Sequence, residues 1–389
     1  MPNQETNLEN ALRMISAPKL MRRKKELIPS GAFKAIMIGL LSLTALAAQS
    51  QDLRLMPLGD SITSGFRSSD NNGYRGALQN QLATAVTSLD FAGSIRDGSM
   101  RDPQHQGHSG WRIDQVAGIA TGALQAYRPN VVTLHIGTND MGQNYDVGGA
   151  PNRLAALIDQ TFNAAPDATV IVATLINSGD SAIESRILAY NSTIPGIVQA
   201  RANAGKHILM VDMSSVTSTD LYPGDPLHPS DSGYRKMAGI WNDGVKRAIA
   251  AGWVKGPVPM AAHIVGDQSK SCLDVTGASR TNNTAVLLWG CAGGAANQLW
   301  TRQPNGTVSV YGGQCLDVLS QSTAPGTTVG IYGCNGGANQ QWKFDTDGSI
   351  VGVQSGLCID VNANAVANGS KVTLWTCNGG PNQKWMLSN

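Results

Sequence analysis

The chain has 389 residues, room for roughly two domains at about 150 residues each, and its 42% apolar share suits packed cores rather than disorder. Only 14% of residues are charged, and the formal +2 originates in residues 1–48, which hold seven Lys/Arg against three Asp/Glu. The remainder is slightly acidic, near −2, which excludes an electrostatically driven nucleic-acid binder; no run of roughly 18 apolar residues offers a membrane-spanning helix.

The first segment reads as a leader. Arg22-Arg23-Lys24-Lys25 precedes an apolar run from Ala35 to Ala48, and Ala45-Leu46-Ala47 supplies the small residues of a cleavage site. That order is the pattern of a secretory signal, so 1–48 is expected to be removed and the protein to be secreted and extracellular.

From 51 to 253 strand-like apolar runs alternate with longer helical ones. The strand candidates are Arg54–Leu58, Leu89–Ala92, Val131–Ile136, Thr169–Thr174 and His207–Val211. The helix candidates are Arg75–Thr87, Ile113–Tyr127, Asn152–Ala164, Ala182–Ala204 and Asp231–Ala250, with Pro195 expected to kink or split the fourth. Alternation of this kind predicts an α/β domain: a parallel sheet with helices on both faces.

Chemistry in such sheets sits past the carboxyl ends of the strands. Four features fall there: Gly59-Asp60-Ser61-Ile62-Thr63, Gly93, Gly137-Thr138-Asn139-Asp140, and Asp225-Pro226-Leu227-His228-Pro229. Together they put a hydroxyl, a backbone N–H, a carboxamide, a carboxylate and an imidazole on one rim. A serine hydroxyl is a poor nucleophile without a base beside it. His228 is that base, and Asp225, three residues earlier, is placed to orient its ring. The oxyanion of a tetrahedral intermediate needs donors, and Ser61 N–H, Gly93 N–H and the Asn139 amide are the candidates.

The four features in this order resemble the SGNH hydrolase superfamily, with Ser61, Gly93, Asn139 and His228 matching position by position. LRLMPLGDSIT, HQGHSGWRIDQ (105–115), LHIGTNDM (134–141) and GDPLHPSDSGYRKMA (224–238) are similar to carbohydrate esterase family three, over about 53–250. The resemblance implies a three-layer α/β/α, flavodoxin-like domain and acetyl xylan esterase activity through an acyl-enzyme. Asp60 is read as tightening its turn and Asp140 as bracing the Asn139 loop. His105 and His108 are read as hydrogen-bonded or substrate-lining loop residues rather than metal ligands. Trp111 is either core or a substrate wall.

Gly256-Pro257-Val258-Pro259 belongs to a short stiff linker, 254–259. Beyond it, 260–389 repeats itself three times. Cys272, Cys291, Cys315, Cys334, Cys358 and Cys377 lie 19 apart within pairs, and the pairs recur every 43 residues. The repeat selects one pairing: Cys272 with Cys291, Cys315 with Cys334, Cys358 with Cys377. In an exported chain these are expected to be disulfides, each worth about 3 kcal/mol. The units open on CLDV, CLDV and CIDV and close on NQLW, NQQW and NQKW. Units this short cannot bury a core alone, so they should pack around one axis.

This segment resembles the ricin-B-type lectin domain, a β-trefoil also classed as carbohydrate-binding module family thirteen. A carboxylate accepts from sugar hydroxyls, and an aromatic ring covers the apolar face of the sugar. Carried over residue by residue, the candidate sets are Asp274, Trp289, Asn297 and Gln298; Asp317, Tyr332, Asn339 and Gln340; and Asp360, Trp375, Asn382 and Gln383, with sugar contact expected first of the aspartates, rings and asparagines. Gln298, Gln340 and Gln383, with Trp300, Trp342 and Trp385, are expected to be scaffold. Where lectins of this type often carry a polar residue two before the ring, this chain has Leu287, Gly330 and Thr373, so not every site need work.

The expected function is a secreted serine esterase that removes acetyl groups from a plant-type polysaccharide, with a sugar polymer held on the trefoil. The alternatives are a lectin with a silent first domain, or an esterase for another acetylated glycan such as pectin or chitin. The sequence has no H-E-x-x-H, no Walker pattern and no C-x-x-C, so no cofactor and no metal are expected. A monomer is expected, with no nucleic-acid or membrane partner.

Overall fold

A computed structural model describes residues 51–388; the expected leader, 1–48, lies outside the described residues. In chain order the first part comprises β1 (Asp52–Asp60), α1 (Ser61–Ser64), α2 (Tyr74–Leu82), β2 (Ser88–Phe91), β3 (Ile95–Arg96), β4 (Gln104–His108) and α3 (Ile113–Tyr127). It continues through β5 (Val131–His135), α4 (Thr138–Gly142), α5 (Ala150–Ala164), β6 (Thr169–Ala173), α6 (Ser181–Asn191), α7 (Ile194–Asn203), β7 (Ile208–Val211) and α8 (Asp231–Ala250).

β1 is the hub of the sheet. On one side it pairs with β5, which continues to β6 and β7, all parallel. Its other side is shared: Asp52 to Leu55 pair with β2, and Leu58 to Asp60 pair with β4. Side chains alternate along β1. Met56 and Leu58 enter the core layer under α3 and α5, while Leu53 and Leu55 enter the layer under α2 and α8. Burying both faces is what makes these strands read as near-continuous apolar runs. α8 earns its place by spacing: Tyr234, Met237, Trp241, Val245 and Ala248 form one buried stripe.

The five expected strands are present, and the helix expected over Ala182–Ala204 divides into α6 and α7, with Pro195 in the first turn of α7. The helix expected over Arg75–Thr87 ends at Leu82. β4 departs from expectation. Its sequence, QHQGH, has no apolar alternation and predicts a loop, yet it is almost wholly buried. Some of its polar groups find local partners, while His105 Nε2 and His108 Nε2 are buried without one among the described residues. Gln106 Oε1 accepts from Ser94 N and Oγ, at 2.9 and 2.7 Å, and His105 Nδ1 accepts from Gly107 N at 3.0 Å.

Among the described residues, short strands from Ala261 to Ser388 build the trefoil, and the three cysteine pairs are bonded as the repeat requires. Trp300, Trp342 and Trp385 are buried, and each indole N–H donates to the opening strand of its unit: to Leu273 O at 2.8 Å, Leu316 O at 2.9 Å and Ile359 O at 3.1 Å. They are scaffold, as expected. The trefoil rests on the α/β fold through polar contacts. Arg302 reaches Asp52 at 2.5 Å and Ser88 at 2.7 Å, Gln104 donates to Leu387 O at 3.1 Å, and Thr346 donates to Ala83 O at 2.9 Å.

Candidate active site

β1 delivers its last residue, Asp60, as the N-cap of α1, where Oδ1 accepts from Ile62 N at 3.0 Å. Ser61 is the first helical residue. The helix stops after one turn because Gly65 turns left-handed, and a Cβ there would meet Asn71 O at 2.8 Å. Ser61 Oγ lies 2.9 Å from His228 Nε2. His228 Nδ1 lies 3.0 Å from both Asp225 oxygens. An ionised carboxylate only accepts, so Nδ1 carries the proton and Nε2 accepts from the serine hydroxyl.

The loop that carries the acid and the base is closed on itself. Asp225 Oδ1 accepts from Leu227 N at 2.9 Å and from His228 N at 3.1 Å, and Tyr222 N donates to His228 O at 2.8 Å. From the loop after β6, Ser178 Oγ and Gly179 N both donate to Pro226 O at 2.9 Å. Burial pushes the Asp225 carboxyl up, but hydrogen bonds from Leu227 and His228 outweigh it and hold the group below the usual carboxylate value. It stays ionised near neutral pH, as an orienting acid must.

The other rim residues sit on neighbouring strand ends. Gly93 follows β2, and a Cβ there would collide with the His105 carbonyl, so β4 leaves no space for a side chain. Asn139 is the second residue of α4, and its Nδ2 donates to Trp111 O at 2.9 Å. Asp140 braces this loop: Oδ2 accepts from Ile113 N at 3.0 Å and Oδ1 from Arg153 Nη2 at 2.9 Å. Asp60 is fully buried with Oδ2 unpaired, and burial pushes its carboxyl up to about 7.

The two histidines of β4 are not loop residues. Burial drives the His105 imidazole down to about 2, so it is neutral, with Nε2 3.5 Å from Asp97. The His108 ring stacks on Trp111 at 4.2 Å, and Trp111 also packs against the core. No cluster of His, Cys, Asp or Glu suited to a metal occurs among the described residues.

Three residues at the mouth escaped the sequence reading. Arg67 Nε donates to Asp225 Oδ2 at 3.1 Å, its guanidinium lies 5.0 Å from the ring centroids of both Phe66 and Tyr222, and Phe66 meets the His228 ring edge-on at 4.8 Å. The available signal was adjacency: Phe66-Arg67 follow the serine turn directly, and Tyr222 precedes Asp225 by three.

In the trefoil one arrangement occurs three times. Asp274 Oδ2 accepts from Asn297 and Gln298 at 2.8 and 2.7 Å, Asp317 from Asn339 and Gln340 at 2.8 and 2.9 Å, and Asp360 from Asn382 and Gln383 at 2.9 and 2.8 Å. The glutamines are fixed as well by backbone bonds, with Oε1 accepting from Ala292, Asn335 and Asn378 N–H. Burial raises all three carboxyls against these amide bonds. Trp289, Tyr332 and Trp375 stand 48%, 39% and 46% exposed. In the first unit, Asp274, Leu287, Trp289 and Asn297 line a cavity of about 330 Å³. Leu287, Gly330 and Thr373 pair directly across from the three aspartates, so each site has a different wall.

Residues 58–236 match the GDSL-like Lipase/Acylhydrolase family, and residues 260–385 match the ricin-type beta-trefoil lectin domain. A multidomain esterase of Ruminococcus flavefaciens is 28% identical over 58% of this chain and 33% of its own length. A putative endoglucanase X of Acetivibrio thermocellus is 38% identical over 33% of this chain and 55% of its own. The chain thus spans between a third and about half the length of these curated relatives. The solved structure of a Clostridium thermocellum family 3 carbohydrate esterase is 37% identical, with 52% of this chain and 98% of that one covered and a TM-score of 0.47. The chain joins a GDSL-like acylhydrolase domain at 58–236 to a ricin-type β-trefoil lectin domain at 260–385.

Proposed function

We propose that the protein is a secreted serine esterase that removes acetyl groups from a plant-type polysaccharide, acetylated xylan first, while the trefoil holds the polymer. The observation that carries the reading is the relay Ser61 Oγ, His228 Nε2, His228 Nδ1, Asp225, with every link at 2.9 or 3.0 Å.

Ser61 Oγ attacks the acetyl carbonyl as His228 Nε2 takes its proton, and Asp225 stabilises the imidazolium. The oxyanion is held by the N–H groups of Ser61 and Gly93 and by the second N–H of Asn139, whose first is spent on Trp111. His228 then protonates the sugar oxygen, which leaves, and Ser61 carries the acetyl group. Water, deprotonated by His228, attacks the acyl-enzyme and frees acetate. Asp274, Asp317 and Asp360 accept from sugar hydroxyls beside the exposed rings, and several weak sites on one polymer add through avidity. Three disulfides support export. Among the described residues no helix is long and apolar enough to cross a membrane.

The test is acetate release from acetylated xylan, with acetylated pectin and acetylated chitin in parallel and deacetylated xylan as the blank. Release from xylan above the other two is expected. No release from any polymer, by protein that still binds one, overturns the reading in favour of a lectin.

A further inference from the structure

Arg67 is held in an unusual way for a residue at the mouth of a catalytic cleft. Its backbone sits at φ +73, in the left-handed region that a side-chain-bearing residue rarely adopts. That turn, two residues after Gly65, folds the side chain back toward the 222–228 loop. Nε donates to Asp225 at 3.1 Å, and the rings of Phe66 and Tyr222 each lie 5.0 Å from the guanidinium carbon. Backbone strain of this kind persists where neighbouring contacts over-determine it, and it concentrates at functional sites.

The fixed edge of the guanidinium faces the relay. The other edge faces outward: among the described residues neither Nη donates to any group, and the side chain is 44% exposed. A flexible surface arginine loses rotamer entropy on binding, whereas this one has already been immobilised. Its open pair of donors matches a carboxylate in the bidentate geometry that arginine favours. Phe66 and Tyr222, both partly exposed beside it, offer faces for the apolar side of a sugar ring.

We infer that Arg67 is a substrate-recognition residue that binds the carboxylate of a uronic acid carried on the acetylated polysaccharide, next to the ester that Ser61 attacks. The inference rests on the esterase reading and narrows its substrate to an acidic glycan. Through Nε the same side chain also positions Asp225, so its loss touches every substrate; the carboxylate contact touches only acidic ones.

The experiment compares an acetylated xylo-oligosaccharide bearing a glucuronic acid with the same oligosaccharide after its carboxyl is reduced to the alcohol. The wild-type protein is expected to show a KM about tenfold lower for the acidic substrate, the size of one charge-assisted contact. In Arg67→Gln that ratio should fall to about one, while kcat drops by a common factor for both substrates. Arg67→Lys should keep part of the preference, since the charge remains and the fork does not. Salt should narrow the wild-type ratio. Equal KM values in the wild type, or a preference unchanged in Arg67→Gln, overturn the inference and leave the esterase reading standing. Failure to turn over either substrate or a small acetyl ester overturns both.

Discussion

Asn139 and Trp111 are tied together: the side-chain amide of the first donates to the carbonyl of the second at 2.9 Å. The bond sets the amide plane, so the remaining N–H is aimed before substrate arrives. Asn139→Ala is expected to lower kcat by about 10²–10³ with little change in KM, because the donor acts on the oxyanion and not on the ester. Steady-state kinetics on a soluble acetyl ester decide this; a loss confined to KM contradicts it.

Asp225 accepts the hydrogen bond from His228 Nδ1–H, and nothing else in the loop is placed to do so. Asp225→Asn keeps the shape but lets the ring adopt the tautomer in which Nε2 holds the proton and no longer accepts from Ser61. A fall of about 10⁴ in kcat is expected with an unchanged fold by circular dichroism. A fall of less than tenfold contradicts the assignment of Asp225 as the orienting acid.

Asp60 carries a stability consequence. Burial raises its carboxyl from 3.8 to about 7 in the folded state. Between those values the native chain binds more protons than the unfolded one, so the contribution of Asp60 to stability falls as pH rises through that window. Asn at this position still caps α1 through its Oδ1 but does not titrate. The unfolding free energy of Asp60→Asn relative to wild type, read from denaturant melts at each pH, should therefore climb between about pH 4 and pH 7, by an amount on the order of a few kcal/mol at most. A difference that is flat with pH rules this out.

Trp300 and Trp289 separate scaffold from surface. Trp300 is buried and bonded to Leu273 O, so Trp300→Ala should cost about 3–5 kcal/mol and unfold the trefoil at a lower temperature. Trp289 is 48% exposed, so Trp289→Ala should leave the melting temperature within about a degree or two while weakening retention on a xylan affinity gel. Calorimetry and affinity electrophoresis on the two variants read this out; unchanged retention in Trp289→Ala removes the first unit from the sugar-binding set.

Much of this was legible in the chain because its causes are local. The spacing of Asp225 and His228 puts acid and base in one turn, and the 43-residue recurrence of cysteine needs no structure to be seen. Buried parallel strands announce themselves as apolar runs. What stayed hidden depends on contacts far along the chain. β4 is polar in sequence, and the partners of its glutamines, Ser94 for Gln106 and Leu387 O for Gln104, lie on other segments. Arg67 reads as an ordinary surface cation until the left-handed turn brings it to a carboxylate 158 residues away. Asn139 was visible as a donor, but its anchoring to Trp111 was not. The three trefoil aspartates were visible as a set, while the wall that faces each one emerges only from the hairpin register.

The most direct test is reaction of the purified protein with a serine-directed phosphonylating reagent, followed by peptide mass analysis and acetate release on the same sample. A nucleophile activated by His228 predicts a single adduct on Ser61, loss of acetate release in step with labelling, and no adduct in His228→Ala. Labelling at another serine, or full esterase activity in protein whose Ser61 is blocked, contradicts it.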